Sequence, residues 1–170
     1  MNTKKIILIV ALAATSLAQK TFAQEASTLS FQIVINSYFG IKNQLTKDDA
    51  DSVRAYAKNL SASVKDITVE KLSPEQNNIW IKYSEVLISD ASKIGSARDI
   101  KTQRTLFTSL SSNFYKMISA MKVNTADLYY QYCPMANAYW VSENSKIINP
   151  YYGKQMLSCG STKETLKVNK

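Results

Sequence analysis

The strongest constraint on how this chain of 170 residues can fold is the near absence of glycine and proline before residue 123. Only Gly40, Pro74 and Gly95 interrupt that stretch, and each is expected to lie near an element boundary. Because glycine and proline are the residues that most disfavour a helix interior, long helices can form between these three points. The stretch therefore favours a helical architecture.

Apolar residues recur at helical spacing in four segments of this stretch. The spacing predicts a first helix over about 28–43, and Thr46 is predicted to cap a second. The segment 73–76, Ser-Pro-Glu-Gln, predicts the start of a third helix that ends at Gly95. A fourth is predicted over about 97–122. Four amphipathic helices joined by short loops predict an all-α fold, an up-down four-helix bundle followed by a loop-rich C-terminal segment.

Residues 1–23 have the features of a secretory signal peptide. A short basic start precedes an apolar run from Ile6 to Ala14, and small residues stand at Thr21 and Ala23. The apolar run is about half as long as a membrane-spanning helix requires, although a retained membrane anchor remains the alternative. We expect cleavage after Ala23 and a periplasmic or otherwise exported protein of residues 24–170.

The predicted mature chain has the usual size of one domain, so residues 24–170 are expected to form a single helical-bundle domain. Loss of the three lysines of the leader lowers the formal net charge from +8 to +5. The remaining lysines are scattered among acidic residues, and we therefore expect no nucleic-acid partner. No stretch after the leader is long and apolar enough to predict a membrane span.

The composition changes after Lys122. Residues 129–160 contain both cysteines and six of the ten tyrosines, and their periodicity fits neither helix nor strand. Irregular segments of this length in compact domains are usually functional or disordered, and the aromatic content argues against disorder. The segment 149–153, Asn-Pro-Tyr-Tyr-Gly, predicts a turn that reverses the chain. The chain has no histidine, so the usual Ser-His and Cys-His pairs are absent and we expect no enzyme.

Two short sulfur clusters flank that turn, Cys133-Pro134-Met135 and Met156-Leu157-Ser158-Cys159. Brought together, they would offer two thiolates and two thioethers, a donor set that suits soft ions and Cu(I) above all. The candidate metal ligands are therefore Cys133, Met135, Met156 and Cys159, and the candidate ions are Cu(I) and Ag(I).

A disulfide is the alternative state of the same residues, because two cysteines in an exported protein most often pair. A Cys133–Cys159 bridge would close a loop of roughly 27 residues and stabilise the fold by about 3 kcal/mol. No metal cofactor would then bind, and Met135 and Met156 would be core filler. The residues alone leave both states open, and the two are not exclusive because the reduced thiols could bind metal.

Four runs in this region form a recognisable signature. They are Tyr-Cys-Pro-Met-Ala (132–136), Ala-Tyr-Trp-Val-Ser-Glu (138–143), Ile-Asn-Pro-Tyr-Tyr-Gly (148–153) and Met-Leu-Ser-Cys-Gly (156–160). The signature resembles an uncharacterised exported bacterial domain that occurs alone or appended to periplasmic adaptor subunits of copper/silver-type heavy-metal efflux pumps. Tyr132 stands where some members have histidine, which puts an imidazole ligand in doubt.

The resemblance implies a helical bundle with a soft-metal role in the cell envelope and efflux components as partners. The family's sulfur pattern falls on Cys133, Met135, Met156 and Cys159. Two functions are therefore expected as alternatives. One is a non-catalytic periplasmic protein that binds Cu(I) or Ag(I) in metal handling or efflux. The other is a disulfide-stabilised helical interaction module of the envelope without metal.

Overall fold

A computed structural model of the protein describes residues 29–168, so the predicted export signal at 1–23 lies outside the described residues and stays a prediction. Within 29–168 the chain forms four α-helices, three β-strands and two short 3-10 turns. The helices are α1 (29–47), α2 (Ala50–Lys65), α3 (Pro74–Ser96) and α4 (Ile100–Met121). The strands are β1 (Leu128–Cys133), β2 (Ala138–Ser142) and β3 (Ser161–Leu166), and the 3-10 turns are Val69–Lys71 and Gly153–Gln155. Among these helices, none has both the length and the apolarity that crossing a membrane requires.

The predicted start of the third helix is confirmed. The Gln76 backbone N–H donates to the Ser73 hydroxyl, and the Ser73 N–H donates to the Gln76 side chain, both at 3.2 Å. This reciprocal capping box, with Pro74 as the first helical residue, satisfies two backbone donors that the helix itself cannot.

The predicted cap at Thr46 is wrong. The first helix continues to residue 47, and the Thr46 hydroxyl donates to the Asn43 carbonyl inside it, at 2.6 Å. Asp49 caps α2 instead, accepting a hydrogen bond from the Ser52 N–H at 3.0 Å. The chain turns between the two helices at Asp48, which has a left-handed backbone (φ 62°).

The all-α prediction is also wrong, because the chain after α4 forms a three-stranded antiparallel sheet. The strand order is β2-β1-β3, which makes the fold mixed α/β. Cys133 pairs with Ala138 in β2, while Tyr132 pairs with Ser161 in β3. The loop-rich segment predicted from the sequence is thus built on two strands and leads into a third.

Tyr38 of α1 joins the sheet to the helices. Its ring stacks on Phe114 of α4, with ring centroids 3.9 Å apart. Its hydroxyl shares a hydrogen bond of 2.7 Å with Ser111 and accepts one of 3.0 Å from the Val141 N–H of β2. Burial raises the pKa of Tyr38 above its ordinary value, so the hydroxyl stays protonated as a donor.

An ion pair between Lys42 and Glu143 connects the end of β2 to α1. The Lys42 side chain is 1% exposed, and its Nζ lies 2.6 Å from Glu143 Oε2. Glu143 also accepts a hydrogen bond of 2.8 Å from the Asn43 side chain. Because the Lys42 charge is removed from water, this carboxylate is its necessary partner.

Arg104 of α4 fixes the segment that follows β2. Its guanidinium donates to the Pro150 carbonyl at 3.0 Å and to the Leu45 carbonyl at 2.8 Å, and it pairs with the Asp48 carboxylate. One side chain therefore ties the corner between α1 and α2 to the C-terminal segment.

Replacing Arg104 is expected to loosen this connection. Arg104→Ala leaves the Pro150 carbonyl without a donor and removes the charged partner of Asp48 and one of two donors to the Leu45 carbonyl, so we expect the free energy of unfolding to fall by about 2 kcal/mol. Urea unfolding followed by circular dichroism measures the change. Lys101→Ala, on an exposed position of the same helix, is the control and should change stability by less than about 0.5 kcal/mol. Equal midpoints for the two variants would contradict the role given to Arg104.

Candidate functional site

The two thiols are brought together by the sheet. Cys133 is the last residue of β1, and Cys159 precedes β3 by two positions. Because β3 pairs antiparallel with β1, the two cysteines meet although they lie 26 residues apart in sequence, and their Sγ atoms are 3.0 Å apart. Both are free thiols in the structure. The contact is close enough for a small movement to form a bond or to admit a soft ion.

The two thioethers lie at the surface. Met135 is 63% exposed and Met156 is 36% exposed, so the prediction that they fill the core is wrong. The Met135 N–H hydrogen-bonds to both thiols, and the Met156 carbonyl accepts from the Cys159 N–H at 3.5 Å. The backbone of each methionine therefore borders the thiol pair. Cys133, Met135, Met156 and Cys159 are called the sulfur site below.

The two thiols differ in their surroundings. Cys133 is fully buried and Cys159 is half-buried. Burial opposes ionisation of Cys133, but hydrogen bonds from the Cys159 thiol, the Ala136 N–H and the Asn149 side chain outweigh it and lower the pKa of Cys133. The hydrogen bond to Cys133 raises the pKa of Cys159. Cys133 is therefore the thiol that ionises first.

Asn149 organises the chain between the two sulfur clusters. It is fully buried, and its side-chain amide donates to the Cys159 carbonyl at 2.8 Å. Its side-chain oxygen accepts from the Tyr151 N–H at 2.8 Å, and its backbone N–H donates to the Leu157 carbonyl at 2.8 Å. One residue therefore connects Tyr151, Leu157 and Cys159 in the part of the loop that precedes β3.

The sequence reasoning predicted the turn at 149–153 and missed the part that Asn149 plays in the site. The turn is confirmed, since residues 150–152 form one. An Asn-Pro pair signals only that a turn begins. Its burial depends on the packing of β1 and the later loop around it, which no local pattern encodes.

Trp140 packs against Gly160, the residue that follows Cys159. A Cβ built on Gly160 would lie 2.8 Å from Trp140 Cη2 and 2.8 Å from the Tyr132 carbonyl, so only glycine fits next to Cys159. Trp140 is fully buried, and its indole N–H has no hydrogen-bond partner within residues 29–168. The indole therefore packs against the chain between Cys159 and β3.

The donors available for a metal are sulfur atoms. In the described part of the chain, no group of three or more histidine, cysteine or acidic residues could hold an ion. The sulfur site offers two thiols in contact, and sulfur is a poor ligand for the hard ions Mg²⁺, Ca²⁺ and Mn²⁺.

The chain belongs to the family described as a protein of unknown function (DUF3347), whose family model matches residues 34–126, more than half of the sequence. An uncharacterised domain family was predicted from the sequence, and this is confirmed. The matched residues run from α1 to just before β1, so the sulfur site lies beyond them. No curated protein and no solved structure matches the chain.

Removing the Asn149 side chain should disturb this site. Asn149→Ala leaves the Cys159 carbonyl and the Tyr151 N–H without their partners, so we expect the free energy of unfolding to fall by about 2–3 kcal/mol. The measurement is urea unfolding of the reduced protein, in which no bridge can mask the effect. Asn144→Ala, at an exposed position of the same loop, is the control. If both variants keep the stability of the wild type, Asn149 does not hold the loop.

Proposed function

We propose that this member of the DUF3347 family is a non-catalytic protein of the cell envelope that binds Cu(I), and also Ag(I), through the sulfur site. The observation that carries the proposal is the thiol contact, with Sγ atoms 3.0 Å apart, which the backbones of the exposed Met135 and Met156 border. Thiolates and thioethers together are the ligands that favour Cu(I) over the harder ions.

Each sulfur has a distinct role in this proposal. Cys133 supplies the first thiolate, because its hydrogen-bond donors favour the charged sulfur that a metal requires. Cys159 supplies the second ligand from the half-buried side of the site. Met135 and Met156, which face solvent, are the ligands through which the ion is exchanged with another protein.

The resemblance of residues 129–160 to an exported domain on efflux adaptors supports a place for this protein in the periplasm. The predicted signal at 1–23 supports the same compartment. A component of a copper/silver-type efflux system is then the proposed partner for ligand exchange. The ion would move between sulfur ligands without a redox step.

The second candidate is a disulfide-stabilised interaction module of the envelope that binds no metal. The same contact between Cys133 and Cys159 favours it, because thiols this close pair readily in an oxidising compartment. The bridge would hold the loop between β2 and β3 in place. The exposed side of that loop would then face a partner.

A competition titration separates the two candidates. The purified protein is reduced, kept anaerobic and titrated with Cu(I) against a chromophoric chelator. We expect one Cu(I) per chain and its loss in Cys133→Ser, because one thiolate is removed. Met135→Leu and Met156→Leu should each lower the affinity by about tenfold, the effect of losing a weak contribution to a metal site.

Met121→Leu is the matched control, since it removes a thioether from the buried end of α4 and should leave Cu(I) binding unchanged. A reduced protein that shows two free thiols but takes no Cu(I) from the chelator would rule out the metal function. The disulfide module would then be the function to pursue.

A further inference from the structure

The two thiols of the sulfur site differ in their access to solvent. The Cys133 sulfur belongs to the buried core, whereas Cys159 packs against that core from the half-buried side. The residues just before Cys159 are exposed, including Met156 at 36% and Leu157 at 40%. A molecule that approaches from solvent therefore meets the sulfur of Cys159 first.

We propose that Cys133 and Cys159 form an exchangeable disulfide, in which an external thiol reacts at Cys159 and releases Cys133. The exchange is a further activity of the same residues. It depends on the proposed function only in that reduction would produce the metal-binding form, and it can be tested without metal.

The reduction proceeds in two balanced steps. A thiolate of the reductant attacks Cys159 Sγ, the bond between Cys159 and Cys133 breaks, and its electron pair leaves on Cys133 as a thiolate. The product is a mixed disulfide between Cys159 and the reductant. A second thiolate then attacks the reductant's sulfur, which releases Cys159 as a thiolate and the reductant as a disulfide. The protein gains two electrons, and two thiols of the reductant lose them.

Direction of attack is the first reason for this assignment. Displacement at sulfur requires the incoming thiolate to approach in line with the bond that breaks, from the side opposite the leaving sulfur. For attack on Cys133, that side is the core, where the residue is fully buried. For attack on Cys159, it is the half-buried surface of the loop.

The hydrogen bonds around Cys133 are the second reason. Its sulfur receives the Ala136 and Met135 N–H groups and the Asn149 side-chain amide, whereas Cys159 receives only the Met135 N–H from the backbone. These donors stabilise the negative charge that appears on the Cys133 sulfur when it is released. Because the two sulfurs start 3.0 Å apart, the released Cys133 also remains positioned to re-form the bond.

The reactant for the test is the metal-free wild-type protein, oxidised with glutathione disulfide and mixed with a limiting amount of reduced glutathione. Acid quenching, alkylation with N-ethylmaleimide and peptide mapping by mass spectrometry locate each group. We expect glutathione on Cys159 and the maleimide on Cys133, with a preference of at least about tenfold over the reverse. Glutathione on Cys133, an even distribution, or oxidised protein that lacks the bridge would overturn the proposal.

Single-cysteine variants test the same assignment from the reduced side. Cys133→Ser keeps the accessible thiol and should accumulate the mixed disulfide with glutathione disulfide. Cys159→Ser keeps only the buried thiol and should react at least about tenfold more slowly. In denaturing guanidinium the two variants should react at similar rates. This would show that the fold causes the difference between their rates in the native state. Equal rates in the native state would contradict the proposal.

These outcomes are independent of the Cu(I) titration. If glutathione is found on Cys159 but the reduced protein binds no Cu(I), the metal function fails and the exchange stands. If Cu(I) binds but the mixed disulfide forms on Cys133, the exchange assignment fails and the metal function stands.

Discussion

The pairing of β1 with β3 is the constraint on which the sulfur site depends. Its register places Tyr132 opposite Ser161, and this brings Cys159 to the end of β1, where Cys133 lies. Asn149 supports this arrangement, because its side chain and backbone bond the Tyr151 N–H and the Leu157 and Cys159 carbonyls of the intervening loop. Helix α4 then holds the loop from outside through Arg104. The sheet, the loop between β2 and β3 and helix α4 therefore all help to position the two thiols.

The asymmetry of this contact gives the two thiols different chemistry. Cys133 is buried, and this protects its sulfur from attack by an external thiolate. Several hydrogen-bond donors around it stabilise the thiolate form. Cys159 is half-buried, and its N–H donates to the carbonyl of the exposed Met156. A bridge and a soft-metal centre can both be built from this arrangement, and an exchange reaction at Cys159 would convert the bridged form into the form that binds metal.

Local signals predicted the helices well and the sheet poorly. A helix cap such as Ser73 can be recognised from residues within one helical turn. The prediction for Thr46 was wrong because Asp49, three residues later, caps α2 instead. The strands lack clear patterns because the pairing of β1 with β3 shifts register between Tyr130 and Gln131, and β3 is polar and mostly exposed. The sulfur residues could be named from their chemistry, but the unequal burial of Cys133 and Cys159 arises from contacts between distant segments.

The central claim is that the sulfur site binds a soft ion through sulfur atoms alone. X-ray absorption at the copper edge of the reduced protein loaded with one equivalent of Cu(I) tests it directly, because the scattering of sulfur differs from that of nitrogen and oxygen. We expect a first shell of sulfur that loses one scatterer in Met135→Leu and one in Met156→Leu. A first shell of nitrogen or oxygen, or one that neither substitution alters, would contradict the claim.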